Sequence, residues 1–146
     1  MNAADLTKYE LVPVARVHIA DRELKIDITD LETVKLEKCI YAFLIGGKVV
    51  RIGSSKARLE KRLKNYEKHI TDALNDRKSP APPEEVEKWK KILPAGTTGI
   101  IYARKGWPVT TPVGEFHAYM DEESLLIGEM WKSTPKDHIL NRNKHR

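Results

Sequence analysis

Arg58, Arg62, Asn65 and His69 lie at i, i+4, i+7 and i+11 of one stretch. On a helix that spacing gathers them into a single polar stripe. Two guanidiniums, an imidazole and an amide in a line are hydrogen-bond donors for phosphate oxygens, so the stripe reads as a phosphate track. Arginine grips a phosphate with two parallel N–H groups, a geometry that lysine does not reproduce. Further along, Lys88, Lys90 and Lys91 surround Trp89. They suit contact with a polyanion or, equally, a solvated helix face. Alone, Arg62 would be an ordinary charge on an amphipathic helix, and His69 an ordinary surface residue.

The stripe needs a helix, and the apolar pattern supplies one. Leu59, Leu63, Tyr66, Ile70, Ala73 and Leu74 recur at the spacing of one buried face, predicting a helix over about 55–76. Gly53 ends the strand before it, and Ser54 or Ser55 is expected to cap it. Upstream, CIYAFLI (39–45) and KVVRI (48–52) are β-prone runs flanking Gly46-Gly47, the two-residue turn that tolerates positive φ twice. Residues 11–28 also alternate, through Val12, Val14, Val17 and Ile19 and then Leu24, Ile26 and Ile28. Asp21-Arg22 can turn that pair, and Pro13 suits an edge position or a strand start.

Downstream, RKSPAPP (77–83) reads as a loop, and Pro83 with Glu84 and Glu85 opens a short helix to about Leu93. GIIYAR (99–104) predicts a third main strand, and GWPVTTPVGEF (106–116) a loop. A helix is expected from about 116 to 132, with Met120, Leu126, Ile127, Met130 and Trp131 on it. From Pro135 onward the chain is polar and basic, and it is expected on the surface. The element order predicts a small α+β domain, with a central antiparallel or mixed β-sheet flanked by helices. One domain is expected over 1–146, with extra N-terminal strands at 10–30, a core at 38–132 and a basic tail at 133–146.

A chain of 146 residues suffices for one hydrophobic core. Its 32% charged and 40% apolar residues exclude a disordered composition. No run approaches the ~18 apolar residues of a membrane span, and the start lacks the apolar stretch of a secretory signal. Cys39 is the only cysteine, which excludes an internal disulfide and a cysteine-built zinc site. A cytoplasmic protein fits. The net charge of +5 attracts any polyanion, although many small proteins carry as much without binding nucleic acid.

Cys39-Ile40-Tyr41, the Gly46-Gly47 turn, Arg51-Ile52-Gly53 and then SSKARLEKRLKNY together resemble the defining hairpin and helix of the GIY-YIG nucleases. Glu123-Ser-Leu-Leu126-Ile127, followed by Pro135 and Asn141, is similar to that family's later glutamate motif. The likeness runs from about 10 to 145 and is dense in 39–66 and 99–127. Two positions depart from the pattern. Cys39 stands where the family has glycine, and Arg51 stands where it has an active-site tyrosine. A guanidinium can hydrogen-bond a phosphate or water, but it cannot act as a neutral phenol.

The resemblance implies a metal-dependent DNA endonuclease, phage-encoded or part of a restriction or defence system. Its catalytic residues would be Tyr41, Arg51, Arg62, Tyr66, His69 and Glu123, with Arg58, Asn65, Lys88 and Asn141 touching nucleic acid. Glu123 would hold one Mg²⁺ or Mn²⁺, and Glu122 beside it is the rival ligand. A hard cation of this kind keeps several waters and needs few carboxylates. As a general base, Tyr41 would need its phenol pKa lowered from about 10, with Arg51 and Arg62 as the candidate cations. His69 would donate a proton or touch the nucleic-acid backbone. Outside the motif the plainer readings stand: a core tyrosine at 41, a packing tyrosine at 66, a surface acid at 123 and a tail residue at 141. Two other functions share these residues, a non-catalytic DNA-binding protein on the same fold and an RNA-directed nuclease. One site cuts one strand, so a double-strand break would call for a homo-oligomer.

Overall fold

The computed structural model describes residues 1–141; the last five residues of the expected basic tail, 142–146, lie outside them. Two tight turns set the sheet. β1 (Val12–Ala20) and β2 (Glu23–Ile28) are joined by Asp21 and Arg22, at φ 53 and 60. β3 (Cys39–Ile45) and β4 (Lys48–Ser55) are joined by Gly46 and Gly47, at φ 60 and 77. Both turns thus use the left-handed backbone that follows the twist of a hairpin. Glycine meets that demand at no steric cost, and an aspartate can meet it locally.

β5 (Gly99–Lys105) runs through the middle of the sheet. The order is β2-β1-β5-β3-β4, and every pairing is antiparallel. All of β3 is buried, which explains its unbroken apolar sequence: it has a neighbour on each side and a layer on each face. Pro13 sits near the start of β1 at the irregularity where pairing with β5 shifts, so its missing N–H leaves no gap in a regular ladder.

The helix expected from residue 55 starts later. β4 continues to Ser55, which pairs with Cys39, and the Ser55 hydroxyl donates to the Ala57 carbonyl at 2.7 Å. Helix α3 (Leu59–Leu74) follows, and its first flanking residue, Arg58, makes no side-chain cap. Leu59, Leu63, Tyr66, Ile70 and Leu74 turn inward from α3. With Trp89 of α4 (Pro83–Ile92) they cover one sheet face, over Val14, Phe43 and Ile101. Leu126, Ile127 and Met130 of α5 (Tyr119–Ser133) cover the other, over Ile40, Ala42 and Ile52.

Several elements depart from the sequence reading. Residues 3–8 form a helix, α1 (Ala3–Lys8), closed by a reciprocal cap between Asn2 and Asp5. A one-turn helix, α2 (Leu31–Val34), is capped by Asp30. The expected loop at 106–116 contains a hairpin, β6 (Pro108–Thr111) and β7 (Gly114–His117), a separate two-stranded sheet. Its turn signal, Pro112-Val-Gly, is diffuse beside the Gly-Gly of β3–β4. The segment after Pro135 is not wholly superficial. Ile139 and Leu140 are buried, and the Leu140 N–H donates to the Val50 carbonyl at 2.7 Å. Two adjacent aliphatic side chains outweigh the charges around them.

Candidate active site

The edge strand β4 and helix α3 diverge around a cleft of about 400 Å³, closed by Glu85 of α4, Pro80 of the preceding loop and the first turns of α5. Tyr41, Arg51, Arg62, Asn65, Tyr66, His69, Glu123 and Asn141 all line it. Residues far apart in the chain therefore share one space.

Tyr41 lies opposite Gly53 on β4, and its ring crosses over that glycine. A Cβ at position 53 would fall 2.2 Å from the Tyr41 hydroxyl oxygen, so only glycine leaves the ring its place. The Tyr41 and Tyr66 hydroxyls are hydrogen-bonded at 2.7 Å, and Arg51 Nε donates to the Tyr66 oxygen at 2.5 Å. Arg51 Nη1 donates to the Leu140 carbonyl at 2.7 Å, and the same nitrogen lies 3.9 Å from Glu85 Oε1. The guanidinium also rides over the Tyr66 ring, 5.0 Å from its centroid. Arg51 thus lines the cleft, with Nε engaged by Tyr66 inside it and Nη1 by the Leu140 carbonyl.

The electrostatics correct one expectation. Burial pushes the Tyr41 phenol well above its usual range, and Tyr66 pushes the same way. Arg51 and Arg62 pull it down but do not prevail. Two nearby guanidiniums do not offset the desolvation of a phenolate on so buried a ring. At neutral pH Tyr41 keeps its proton. For Arg51 itself, burial works against the charge, yet Tyr66, Tyr41 and Glu85 outweigh it and raise its pKa.

The paired acids of α5 have different places. Glu122 faces Arg104 of β5: Nη1 donates to one carboxylate oxygen at 3.0 Å and Nη2 to the other at 2.5 Å. Trp107 N–H also donates to Glu122, at 2.7 Å. Burial raises the Glu122 carboxyl, but these donors prevail and hold it below the usual carboxylate range. Glu123 is 3% exposed and lines the cleft. The geometry brings Glu123, not Glu122, to the other site residues.

Three expected nucleic-acid contacts lie elsewhere or are otherwise engaged. Because α3 begins at Leu59, Arg58 has extended backbone, leaves the stripe and pairs with Glu60 at 3.7 Å. Lys88 is not among the cleft residues; its ammonium donates to the Ile139 carbonyl at 3.1 Å. The Asn141 amide accepts from Ile52 N–H at 2.9 Å and donates to Ile52 C=O at 2.8 Å, completing the exposed edge of β4 as another strand would. His69 lines the cleft, and its carbonyl accepts from Ser79 Oγ at 2.7 Å, which draws the Pro80 loop to the cleft.

Glu85 was legible only as a first-turn acid of a helix. It is 5% exposed, accepts from Trp89 Nε1 at 3.2 Å and faces Arg51. The Pro83 signal that starts α4 also places an acid one turn before Trp89, but periodicity does not reveal a carboxylate turned inward.

Among the described residues no three His, Cys, Asp or Glu side chains gather into a metal cage. That donor set does not suit zinc, which takes three or four protein ligands. A single carboxylate in a cleft that also holds Arg62, Asn65 and His69 suits Mg²⁺ or Mn²⁺, which retain several waters and need few protein ligands.

The hairpin, the helix after it, the central third strand and the later helix bearing Glu123 make up the fold of the GIY-YIG nucleases. The N-terminal strands and Tyr102-Ala103-Arg104 near the end of β5 resemble the endonuclease II of T-even bacteriophages. The structure of a point mutant of bacteriophage T4 EndoII matches with a TM-score of 0.56 and 22% identity, over 88% of this chain and 93% of that one. The restriction endonuclease Hpy188I in complex with product DNA matches with a TM-score of 0.55 and 19% identity, over 92% and 82%. At such identities the likeness is one of fold. No family model and no characterised protein matches the sequence itself.

Proposed function

We propose that this protein is a DNA endonuclease that hydrolyses phosphodiester bonds with one Mg²⁺ or Mn²⁺. The observation that carries the reading is the convergence of Tyr41, Arg62, His69 and Glu123 on one cleft. Both structural neighbours being endonucleases supports it. Arg62 holds the scissile phosphate and stabilises charge on its oxygens. Glu123 holds the cation, which when bound supplies Lewis-acid polarisation of the phosphate and lowers the pKa of a water. Tyr41 keeps its proton and orients the attacking water by hydrogen bonding, with Tyr66 and Arg51 fixing its position. His69 gives a proton to the leaving oxygen.

A second reading is favoured by one observation. Arg51 stands where a family phenol is expected, and its Nε and Nη1 are taken up by Tyr66 and Leu140. A protein so altered would grip DNA and leave it intact.

Supercoiled plasmid with Mg²⁺ or Mn²⁺ separates the two. Nicking by wild type that is lost on chelation, in Glu123→Ala and in Arg62→Ala, is the expected result. Retarded but uncut plasmid would establish the binder instead. A linear product without a nicked precursor would mark a homo-oligomer, and preferential cutting of structured RNA would move the substrate away from DNA.

A further inference from the structure

Three strand ends meet at Cys39, which pairs with Ser55 of β4 and with Lys105 of β5. Around it Lys38 N–H donates to the Lys56 carbonyl at 3.2 Å, and Gly106 N–H to the Lys38 carbonyl at 2.8 Å. Lys38, Lys56 and Lys105 are thereby held at one end of the sheet. Helix α3 begins at that end, where Leu59 N–H donates to the Leu36 carbonyl at 3.0 Å. Arg58, just before α3, and Lys61 and Lys64 on its first turns lie along a shallow depression.

None of these five lysines has an ion-pair partner among the described residues. Elsewhere Lys25, Lys68, Lys90, Lys91 and Lys132 each face a carboxylate, while Lys8, Lys35, Lys48, Lys78 and Lys136 face none among the described residues; the rim differs in gathering five such lysines in one place. Only Arg58 on this rim is paired, with Glu60. Glu37 and Glu60 line the same depression, but the five lysines and Arg58 outnumber them, so the rim keeps a net positive charge that attracts a polyanion.

We infer that this rim is a second contact surface for duplex DNA, engaging backbone phosphates beyond the segment held in the cleft. The inference rests on the proposed nuclease reading for the identity of the polyanion. Lys61 lines the depression and its neighbour on α3, Arg62, lines the cleft, so the rim borders the cleft. One strand of phosphates can follow both. Lysine is a compact, well-hydrated point charge and carries no base-reading fork. The rim therefore fixes register and orientation without adding sequence preference.

The test is fluorescence anisotropy in EDTA, so that cleavage does not intervene. It uses one duplex of about 30 base pairs, roughly 100 Å long, and one of about 8. Wild type is compared with a Lys38→Ala/Lys56→Ala/Lys105→Ala triple variant and a Lys61→Ala/Lys64→Ala double variant. On the long duplex each lost phosphate contact lowers the magnitude of the log Kd–log salt slope by about 0.9, so the triple should fall by about 2–3. On the short duplex the variants should match wild type. An unchanged slope in both variants overturns the rim while leaving the nuclease reading intact. Wild type that binds neither duplex defeats that reading itself. Equal affinity and slope on structured RNA would overturn the assignment to duplex DNA.

Discussion

Tyr41 and Gly53 act as one unit, a phenol and the space left for it. Gly53→Ala would place a methyl against the Tyr41 hydroxyl. The ring must shift, at about 1–3 kcal/mol of stability, as for an overpacked core. Activity should fall further, by about a hundredfold, because a displacement of about 1 Å suffices for that; plasmid cleavage beside a melting curve reads both. Tyr41 also shapes the response to alkali. Below about pH 10 both the folded and unfolded chains keep this proton. Above it the unfolded phenol ionises while the folded one, with its raised pKa, does not. Stability should therefore decline above pH 10, by up to about 1.4 kcal/mol per pH unit from this group. Urea midpoints between pH 9 and 12 should decline less steeply in Tyr41→Phe; an identical slope would refute the assignment. Tyr41, Arg62 and Glu123 were legible because each sits in a string of fixed order. The engagement of Arg51 was not, since its partners Leu140 and Glu85 are set by the fold and no local spacing betrays them.

At the scale of elements, α4 and the C-terminal segment hold the β4 edge from outside. Glu85→Gln removes the charge facing Arg51 in a site where both groups are largely buried. Breaking such a pair costs about 3–5 kcal/mol. Denaturant unfolding should show the loss, and Glu85→Gln/Arg51→Met should recover part of it. A chain ending at Thr134 would lack Ile139, Leu140 and the Asn141 amide on Ile52. At about 2–5 kcal/mol for each buried aliphatic side chain lost, that truncation should unfold well below wild type and fail to cleave. The β3–β4 hairpin was legible because Gly-Gly between two apolar runs admits few other structures. The start of α3 was misread because a serine after glycine resembles a cap, while the pairing of Ser55 with Cys39 is a tertiary fact. The β6–β7 hairpin escaped notice because its strands are short and half exposed and carry no apolar alternation.

Across the whole molecule, the two acids of α5 have different surroundings, Glu122 bound to the sheet and Glu123 in the cleft, and the proposed chemistry uses only the second. Glu122 joins α5 to β5 through Arg104, and neither side chain is more than 19% exposed. Charged hydrogen bonds of this kind contribute about 1.5–3 kcal/mol, so Glu122→Gln should lower Tm by about 5–10 °C at pH 7. The Glu122 pKa is depressed in the fold, so its contribution is present above the ordinary carboxylate pKa and lost as pH falls through the folded value. The melting difference between wild type and Glu122→Gln should therefore shrink in acid. Glu123→Ala, by contrast, should abolish cleavage, and a variant pair with these effects reversed would overturn the division. The overall α+β architecture was legible from element order; the basic rim was not, because it joins Lys38, Lys56 and Lys105 from the ends of three strands far apart in sequence.

The strand-like amide of Asn141 on Ile52 has a consequence for synthesis. A ribosome makes the hairpin early and Asn141 some 89 residues after Ile52. At about 5–20 residues per second, several seconds pass in which the emerging chain holds Tyr41 and Arg62 without Glu123 or the closing segment. Under the proposed function, a partly made chain would lack the carboxylate that holds the cation, and cleavage would have to wait for α5 and the segment that bears Asn141.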